Sequence, residues 1–586
     1  MQPLNDLLTG LLSDAFARCG FEPKYGQVVP SQRPDLCQFQ CNGALAAART
    51  VQQNPREVAQ IVAAAIAERE VYFAKVEIAG SGYINLTVAD EFLAQYAAAV
   101  AADARLLCPP STAPARVVLD FGGLNIAKAM HVGHLRSSAI GDSLQRIFRF
   151  VGDSVISDIH LGDWGTPMGM LIYELRRRSP TLVYFDAAYI GPYPDISPVD
   201  MADLEEIYPE AAARCAANPQ EMQAALEATT ELQAGRPGYR ALWQHFHDVS
   251  VGAMQELLDR LGVHFDLWYG ESDVHERIPA LLQRLRAAGS AVLSDGALVV
   301  SVAEEGEDMP PLLLAKSDGS YLYGTTDLAT IEERVEDLEA ERVLYVVDKR
   351  QSLHFEQLFR AARRTGIAHS AALEHVAFGT VNGPDGKPFK TRQGGVMRLA
   401  DLVDMAIDEA GKRMNEAGVA EGYTPVEQQA VAEKVAVAAL KFADLANYRA
   451  SNYVFDLDKF TRFEGRTGPY LLYAAVRIKS LLRKAADRNF YAGPFVPPTG
   501  ADRDLILQIS RFPDSVRNAY VERAPHHLCE FAFELAQVFS RFYLNCPILT
   551  EPDTALRESW LALAQLCLRE LKVTLGLLGI EVPERM

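Results

Sequence analysis

The sequence predicts an α/β protein: a doubly wound parallel sheet split by a long, mostly helical insertion, preceded by a small α+β domain and followed by an all-helical one. Three observations carry that expectation. A short apolar run of buried-strand type at 117–121 and strand-like stretches at 154–158 and 342–347 are separated by helix-period segments, not hairpin turns, as parallel strands with crossover helices require. From about residue 425 to the end the apolar residues recur almost throughout at helical spacing. A chain of 586 residues also exceeds what one hydrophobic core covers, so several domains are expected.

Residues 1–110 read as a separate N-terminal domain. Leu7, Leu8, Leu11, Leu12 and Phe16 fall on one helical face, an Ala-rich helix covers 58–67, and a strand covers 71–78. Gly80-Ser-Gly-Tyr83-Ile-Asn85-Leu reads as a turn, and Cys108-Pro-Pro-Ser-Thr-Ala-Pro as a linker. Residues 111–180 open the sheet: strand 117–121, a helix marked by Leu135, Ile140, Leu144, Ile147 and Phe148, then strand 154–158. Strand, helix, strand implies a right-handed parallel crossover, the start of a Rossmann-like nucleotide-binding sheet. Residues 181–320 form the insertion, with acidic and Ala-rich helical stretches at 205–227 and 240–261. The sheet resumes in 321–424, with strand 342–347, a helix from His354 and a strand near 374–378. Residues 425–586 carry helices at 431–446, 470–485, 526–543 and 556–578, interrupted by the Pro- and Gly-containing loop from Tyr491 to Gly500.

Composition narrows the class. No run of eighteen apolar residues occurs, and Met1-Gln-Pro-Leu-Asn-Asp has neither the basic nor the apolar part of a secretory leader, so a cytoplasmic enzyme without membrane contact is expected. Eight cysteines are scattered, the closest pair being Cys37 and Cys41, with no paired Cys-x-x-Cys knuckles. A structural zinc site and a disulfide framework are therefore not expected. A net charge of −19 argues against broad nonspecific nucleic-acid binding and leaves a local basic channel open.

The most informative string is His131-Val-Gly-His134. It lies between a parallel strand and the following helix, where such sheets bind ligands and a helix N-terminus attracts phosphate. Gly133 lets a nucleotide approach the backbone, and the two imidazoles can donate N–H bonds to a phosphate that gains charge during displacement. Lys128 adds a compact cation to the same loop. Zinc binding by the pair lacks a further ligand at suitable spacing.

That string resembles the signature of class I aminoacyl-tRNA synthetases, which nucleotidylyltransferases share. The neighbouring strings resemble the arginyl-tRNA synthetases more narrowly: Asn125-Ile-Ala-Lys128, His134-Leu-Arg-Ser, Gly162-Asp-Trp-Gly165, Tyr323-Gly-Thr-Thr-Asp327, Val346-Val-Asp-Lys-Arg-Gln351, His354-Phe-Glu-Gln357 and the ending Leu577-Leu-Gly-Ile-Glu-Val-Pro-Glu-Arg-Met586. The resemblance covers nearly the whole chain. It implies ATP-dependent ligation of L-arginine to tRNA(Arg) through an arginyl-adenylate.

The resemblance also implies roles for residues. A guanidinium demands carboxylates in matching geometry, and the family's acids fall at Asp120 and Asp327, with Tyr323 one helical turn before the latter. Asn125 and Gln351 match residues that hold the amino acid's α-amino and carboxylate groups. Taken alone, Asp327 reads as a helix-start carboxylate and Tyr323 as a core residue. His131, Gly133 and His134 match ATP contacts. A second ATP element is expected in the loop Gly379-Thr-Val-Asn-Gly-Pro-Asp-Gly386-Lys387-Pro-Phe-Lys390-Thr391-Arg392-Gln-Gly-Gly395, through Lys387, Lys390, Thr391 and Arg392. This loop departs from the usual Lys-Met-Ser-Lys-Ser pattern: Pro388 and Thr391 stand at its lysine positions, and Lys128 replaces the missing cation in this family. Gly122-Gly-Leu124 stands where many relatives carry Ser-Ser-Pro, and Pro167 follows Gly-Asp-Trp-Gly where a Gln is common.

Magnesium is expected on the ATP phosphates, with no dedicated protein cage. The helical tail matches an anticodon-binding module in which Tyr470, Tyr473 and Arg477 suit stacking on unpaired bases; Tyr83 and Asn85 match positions that meet the RNA's D-loop. A monomer is expected. The alternatives are another class I synthetase, a nucleotidylyltransferase, or a catalytically silent paralogue that only binds tRNA.

Overall fold

A computed structural model describes residues 1–586 apart from 32, 34, 35, 68, 70, 317–319, 384, 385, 387–396 and 420. The chain forms two compact units: Met1–Ser111 with Arg413–Ala438 and Arg462–Met586, and Thr112–Lys412 with Ala439–Thr461.

The N-terminal part of the first unit runs α1 (Leu4–Arg18), β1 (Val28–Pro30), β2 (Phe39–Cys41), α2 (Gly43–Val51), α3 (Pro55–Ala67), β3 (Phe73–Ala79), β4 (Tyr83–Val88) and α4 (Asp90–Ala102). The strands form an antiparallel sheet in the order β1-β2-β4-β3. The turn expected through Leu86 is shorter than the sequence suggested. Gly80 and Gly82, at φ +54° and +138°, absorb it, and Tyr83 already pairs with Ala79 as strand.

The second unit holds the expected parallel sheet. Its elements are β5 (Arg116–Asp120), α5 (Val132–Val151), β6 (Ser154–Asp158), α6 (Thr166–Arg178), α7 (Met201–Ala217), α8 (Pro219–Gln233), α9 (Pro237–Arg260), α10 (Ile278–Ala287), β7 (Val292–Ser294), β8 (Ala297–Val300), β9 (Leu312–Ala315), α11 (Tyr323–Glu336), β10 (Arg342–Tyr345), α12 (Ser352–Arg364), β11 (Ala372–His375) and β12 (Val381–Asn382). Four strands lie parallel in the order β11-β10-β5-β6. Both faces are covered, so Val117, Val118 and Leu119 of β5 are all fully buried. The register sets Tyr345, Asp120 and Asp158 in one row at the C-terminal edge.

Between the sheet halves the structure adds β7-β8-β9, an antiparallel sheet the helical reading passed over. Its hairpin turns at Asp295-Gly296, both residues at positive φ, 50° and 80°, which is what a two-residue type I′ turn demands.

The chain continues as α13 (Leu399–Glu416), α14 (Pro425–Leu445), β13 (Tyr453–Val454) and α15 (Leu457–Phe460), then α16 (Gly468–Ala486), α17 (Ala501–Ile509), α18 (Phe512–Glu522), α19 (His526–Asn545) and α20 (Thr554–Leu577). Within the first unit α16–α20 meet the N-terminal part: the Leu4 N–H donates to Tyr96 Oη at 3.0 Å, Arg569 Nη1 donates to the Ala101 carbonyl at 2.8 Å, and Arg517 pairs with Asp6 at 2.5 Å. No described helix is long and apolar enough to cross a membrane.

Candidate active site

The histidine pair forms the N-terminus of α5. His131 is the N-cap: its Nδ1 accepts the Gly133 N–H at 3.1 Å, and its own N–H donates to His134 Nδ1 at 3.0 Å. The rings stack with centroids 3.7 Å apart. This reciprocal capping fixes the tautomers. Each Nδ1 is an acceptor, so in the neutral rings each Nε2 carries the proton and is the outward donor. Burial lowers both imidazoles from their ordinary value, His134 to about 3. The pair therefore offers neutral N–H donors at a helix N-terminus, and the positive charge here belongs to Lys128 and Arg350.

Gly133 is required by close approach. A Cβ there would sit 2.8 Å from His131 Cε1 and 2.9 Å from its Nδ1. An imidazole can swing aside, so Gly133→Ala is expected to fold normally but to release His131 from its cap. The activation rate should then drop by roughly a hundredfold, the order of one preorganised donor. Thermal melting paired with ATP–pyrophosphate exchange checks both halves.

The loop before the pair is pinned from three sides. Asn125 bridges Gly162, with Ile126 N–H donating to the Gly162 carbonyl at 3.1 Å and Gly162 N–H to the Leu124 carbonyl at 2.9 Å. A Cβ at Gly162 would lie 2.4 Å from Asn125 Oδ1, so the glycine keeps that amide in its position. Ala127 adopts φ +60° and its N–H donates to Ser250 Oγ of α9 at 3.0 Å. Lys128 Nζ lies 4.9 Å from the Tyr208 ring centroid on α7.

Of the expected second ATP element, Lys387, Lys390, Thr391 and Arg392 lie outside the described residues. The segment just after them joins the histidine loop: Val132 N–H donates to the Met397 carbonyl at 3.1 Å, and Leu399 N–H to the Met130 carbonyl at 2.7 Å. Arg398 pairs with Asp401 at 2.9 Å and with Glu205 of α7 at 3.2 Å.

Asp120 ends β5 and is buried. Its Oδ2 meets Arg334 Nη2 at 2.7 Å, and the same nitrogen meets Asp158 Oδ2 at 2.7 Å. Arg334 is thus an internal guanidinium under the strand ends, a partner for Asp120 that sequence reading did not supply. Burial pushes the Asp120 carboxyl up, with Arg334 opposing it. Asp327, one helical turn after the exposed Tyr323 on α11, bonds through Oδ2 to His354 Nε2 at 2.6 Å. Gln351 lies exposed on the single turn preceding α12.

One group near this cluster went unnoticed in the sequence. Glu271 is stitched to the Gly162-Asp-Trp-Gly165 segment: its N–H donates to the Leu161 carbonyl at 3.0 Å, while the next residue, Ser272, donates to Asp163 at 3.0 Å through N–H and 2.6 Å through Oγ. Burial pushes Glu271 up to about 7, with His160 opposing and Asp163 and Asp327 adding to the rise. Tyr323 in turn feels Glu271 and Asp327. Two acids and a tyrosine therefore share one electrostatic neighbourhood, suited to a cationic side chain. The signal lay in Glu271-Ser272, whose contact with Asp163 no spacing rule reveals.

In the other unit, Tyr473 is exposed, Arg477 stacks on Tyr543 with 4.2 Å to the ring centroid, and Tyr470 packs on Phe533 at 5.7 Å. Tyr83 is half-buried, whereas Asn85 is buried and accepts from Gln40 Nε2 at 2.8 Å.

Comparison with known proteins gives the family of the chain. Residues 97–457 match the family described as tRNA synthetases class I (R), catalytic domain. Residues 471–586 match the DALR anticodon binding domain, and residues 4–88 the arginyl tRNA synthetase N terminal domain. The arginine–tRNA ligase of Maricaulis maris is 52% identical over 589 residues, and that of Alkaliphilus oremlandii 46% over 591, each alignment covering 100% of both chains. The arginyl-tRNA synthetases of Plasmodium falciparum and Thermus thermophilus share the fold, with TM-scores of 0.81 and 0.78 at 24% and 23% identity over 100% of each chain. With a catalytic-domain match over more than half its length and half its residues identical to such a relative end to end, the chain belongs to the class I arginyl-tRNA synthetases.

Proposed function

We infer that this chain ligates L-arginine to tRNA(Arg) at the expense of ATP, through an arginyl-adenylate, releasing AMP and pyrophosphate. The observation that carries the reading is the histidine pair at the N-terminus of α5, which presents two neutral Nε2–H donors; Glu271 and Asp327, which feel each other's charge, supply the acids a guanidinium needs. The arginine carboxylate attacks the α-phosphorus in line. His131, His134 and Lys128 stabilise charge developing on the phosphates, Gly133 leaves room for the nucleotide, and Lys387, Lys390, Thr391 and Arg392 grip the leaving pyrophosphate. Magnesium accompanies ATP on its phosphates, and zinc has no part. The terminal ribose 2′-hydroxyl of the RNA then attacks the activated carbonyl.

In this reading Asp327 and Glu271 receive the guanidinium and Tyr323 covers it. Asn125 and Gln351 hold the α-amino and carboxylate groups; Asp120, expected with Asp327 as an acid for the guanidinium, is instead taken up by the buried Arg334. Residues 1–110 contact the tRNA through Tyr83; Asn85, expected as a second contact, is buried on Gln40 and braces the same strand instead. Residues 425–586 bind the anticodon through Tyr470, Tyr473 and Arg477. Residues 111–180 and 321–424 are the catalytic halves, and 181–320 the insertion. The enzyme works as a cytoplasmic monomer without membrane contact.

Pyrophosphate exchange across all twenty amino acids, with and without tRNA(Arg), is the test. Arginine alone should support exchange, and more strongly with the RNA present. Exchange with another amino acid would point to a different class I synthetase, and none with any to a silent tRNA-binding paralogue.

A further inference from the structure

We propose that His354 is a positioning residue for arginine recognition, holding the Asp327 carboxylate in the one orientation that leaves an oxygen for the substrate guanidinium. The proposal rests on the reading of Asp327 as a guanidinium ligand. Asp327 lies near the start of α11 and His354 near the start of α12. Their side chains meet at 2.6 Å, Nε2 to Oδ2, with each about 30% exposed, 30% and 29%. Oδ1 takes no hydrogen bond from any described residue.

The geometry decides what the contact does. A half-exposed aspartate turns freely about χ1 and χ2, and a guanidinium accepts a carboxylate only in a restricted, nearly coplanar fork. Holding Oδ2 fixes both torsions before substrate arrives, so binding does not have to order them. The imidazole is itself backed by Phe355, a buried neighbour whose ring stacks on His375 at 4.6 Å. Asp327 favours the proton on His354 and raises its pKa, consistent with a donor at Nε2 and not an acceptor. The contact joins α11 and α12, which already pack around the Tyr345 ring through Arg334 and Phe355, so the fold does not depend on it.

Three variants test the atom that matters. His354→Leu removes the donor, His354→Gln sets an amide nitrogen near Nε2, and His354→Asn carries one too short to reach. With tRNA bound, His354→Leu and His354→Asn should raise the arginine KM roughly ten- to a hundredfold, the size of one charge-assisted hydrogen bond. Their ATP KM should stay close to wild type, and His354→Gln should recover most of the loss. An unchanged arginine KM in His354→Leu, or equal losses in Gln and Asn, overturns the proposal. If the leucine variant fails to fold, the Gln and Asn pair decides alone. Asp327→Ala is measured beside them. If it loses arginine while His354→Leu does not, only the positioning role falls; if it keeps arginine, the pocket reading falls first.

Discussion

Arg334→Met is expected to cost the catalytic unit about 3–5 kcal/mol of stability, the usual loss when one partner of a buried ion network is removed. Arg334 is 1% exposed, with one nitrogen 2.7 Å from both Asp120 and Asp158 and its guanidinium 5.2 Å from the Tyr345 ring centroid. Methionine fills much of the volume but leaves two carboxylates, 7% and 2% exposed, without a counter-charge. The pH dependence gives the cause away. Burial already raises the Asp120 carboxyl against the opposition of Arg334, and in the variant, with that opposing charge gone, it rises further above the unfolded value of about 3.9. A folded state that binds protons more tightly than the unfolded one gains stability as pH falls, so the deficit against wild type should be smaller at pH 6 than at pH 8. Three of the four tryptophans, Trp164, Trp243 and Trp268, belong to this unit and Trp560 to the other, so in a Trp560→Phe background tryptophan fluorescence during urea unfolding follows it. Adding Asp158→Asn to Arg334→Met should return part of the loss. An unchanged midpoint, or a deficit that grows toward acid, defeats the account.

That network shows where sequence reading stops. Strands β5 and β10 were legible because a strand buried on both faces is apolar along most of its length, and α5 because its apolar residues recur at helical spacing. The histidine pair was legible because its chemistry is local: both capping bonds span three residues or fewer. Arg334 and Asp120 are 214 positions apart by their numbers, and nothing in either neighbourhood names the other; only the register of β5, β6 and β10 sets the strand ends in one row. His354 was quoted as part of a motif, but its partner sits on another helix. The hairpin at Asp295-Gly296 is the opposite case: its signal was local and strong, and it was passed over amid long helical stretches.

Glu271→Gln is the second large effect, and it should act on activity and stability in opposite directions. Glu271 stands at about 7, raised mainly by burial, with Asp163 and Asp327 adding to the rise against His160. Below that pH it is neutral and does little for a guanidinium; above it the ionised form attracts one. Arginine kcat/KM should therefore climb as pH rises through about 7. The signature histidines add no step there, since burial holds both below their ordinary value and His134 at about 3. The Asp327 carboxylate raises the pKa of His354, and protonation of that ring offsets the Asp327 charge, so it bends the profile with the same sign. Wild type should then lose activity toward acid more steeply than Glu271→Gln. Above pH 7 the variant should lose arginine kcat/KM roughly tenfold or more, the cost of a missing charged partner. Stability moves the other way. The folded carboxyl holds its proton more tightly than the unfolded one, so ionising it at pH 8 works against the fold. Glutamine removes that penalty, stabilising the catalytic unit at pH 8 by up to about 3 kcal/mol and by little at pH 5. A variant that kept the wild-type slope would show that this carboxylate does not meet the substrate. One that lost arginine together with stability at pH 8 would make Glu271 a brace for the Gly162–Gly165 segment instead of a ligand, because an ionised carboxyl whose burial works against the fold leaves the empty enzyme more stable when its charge is removed.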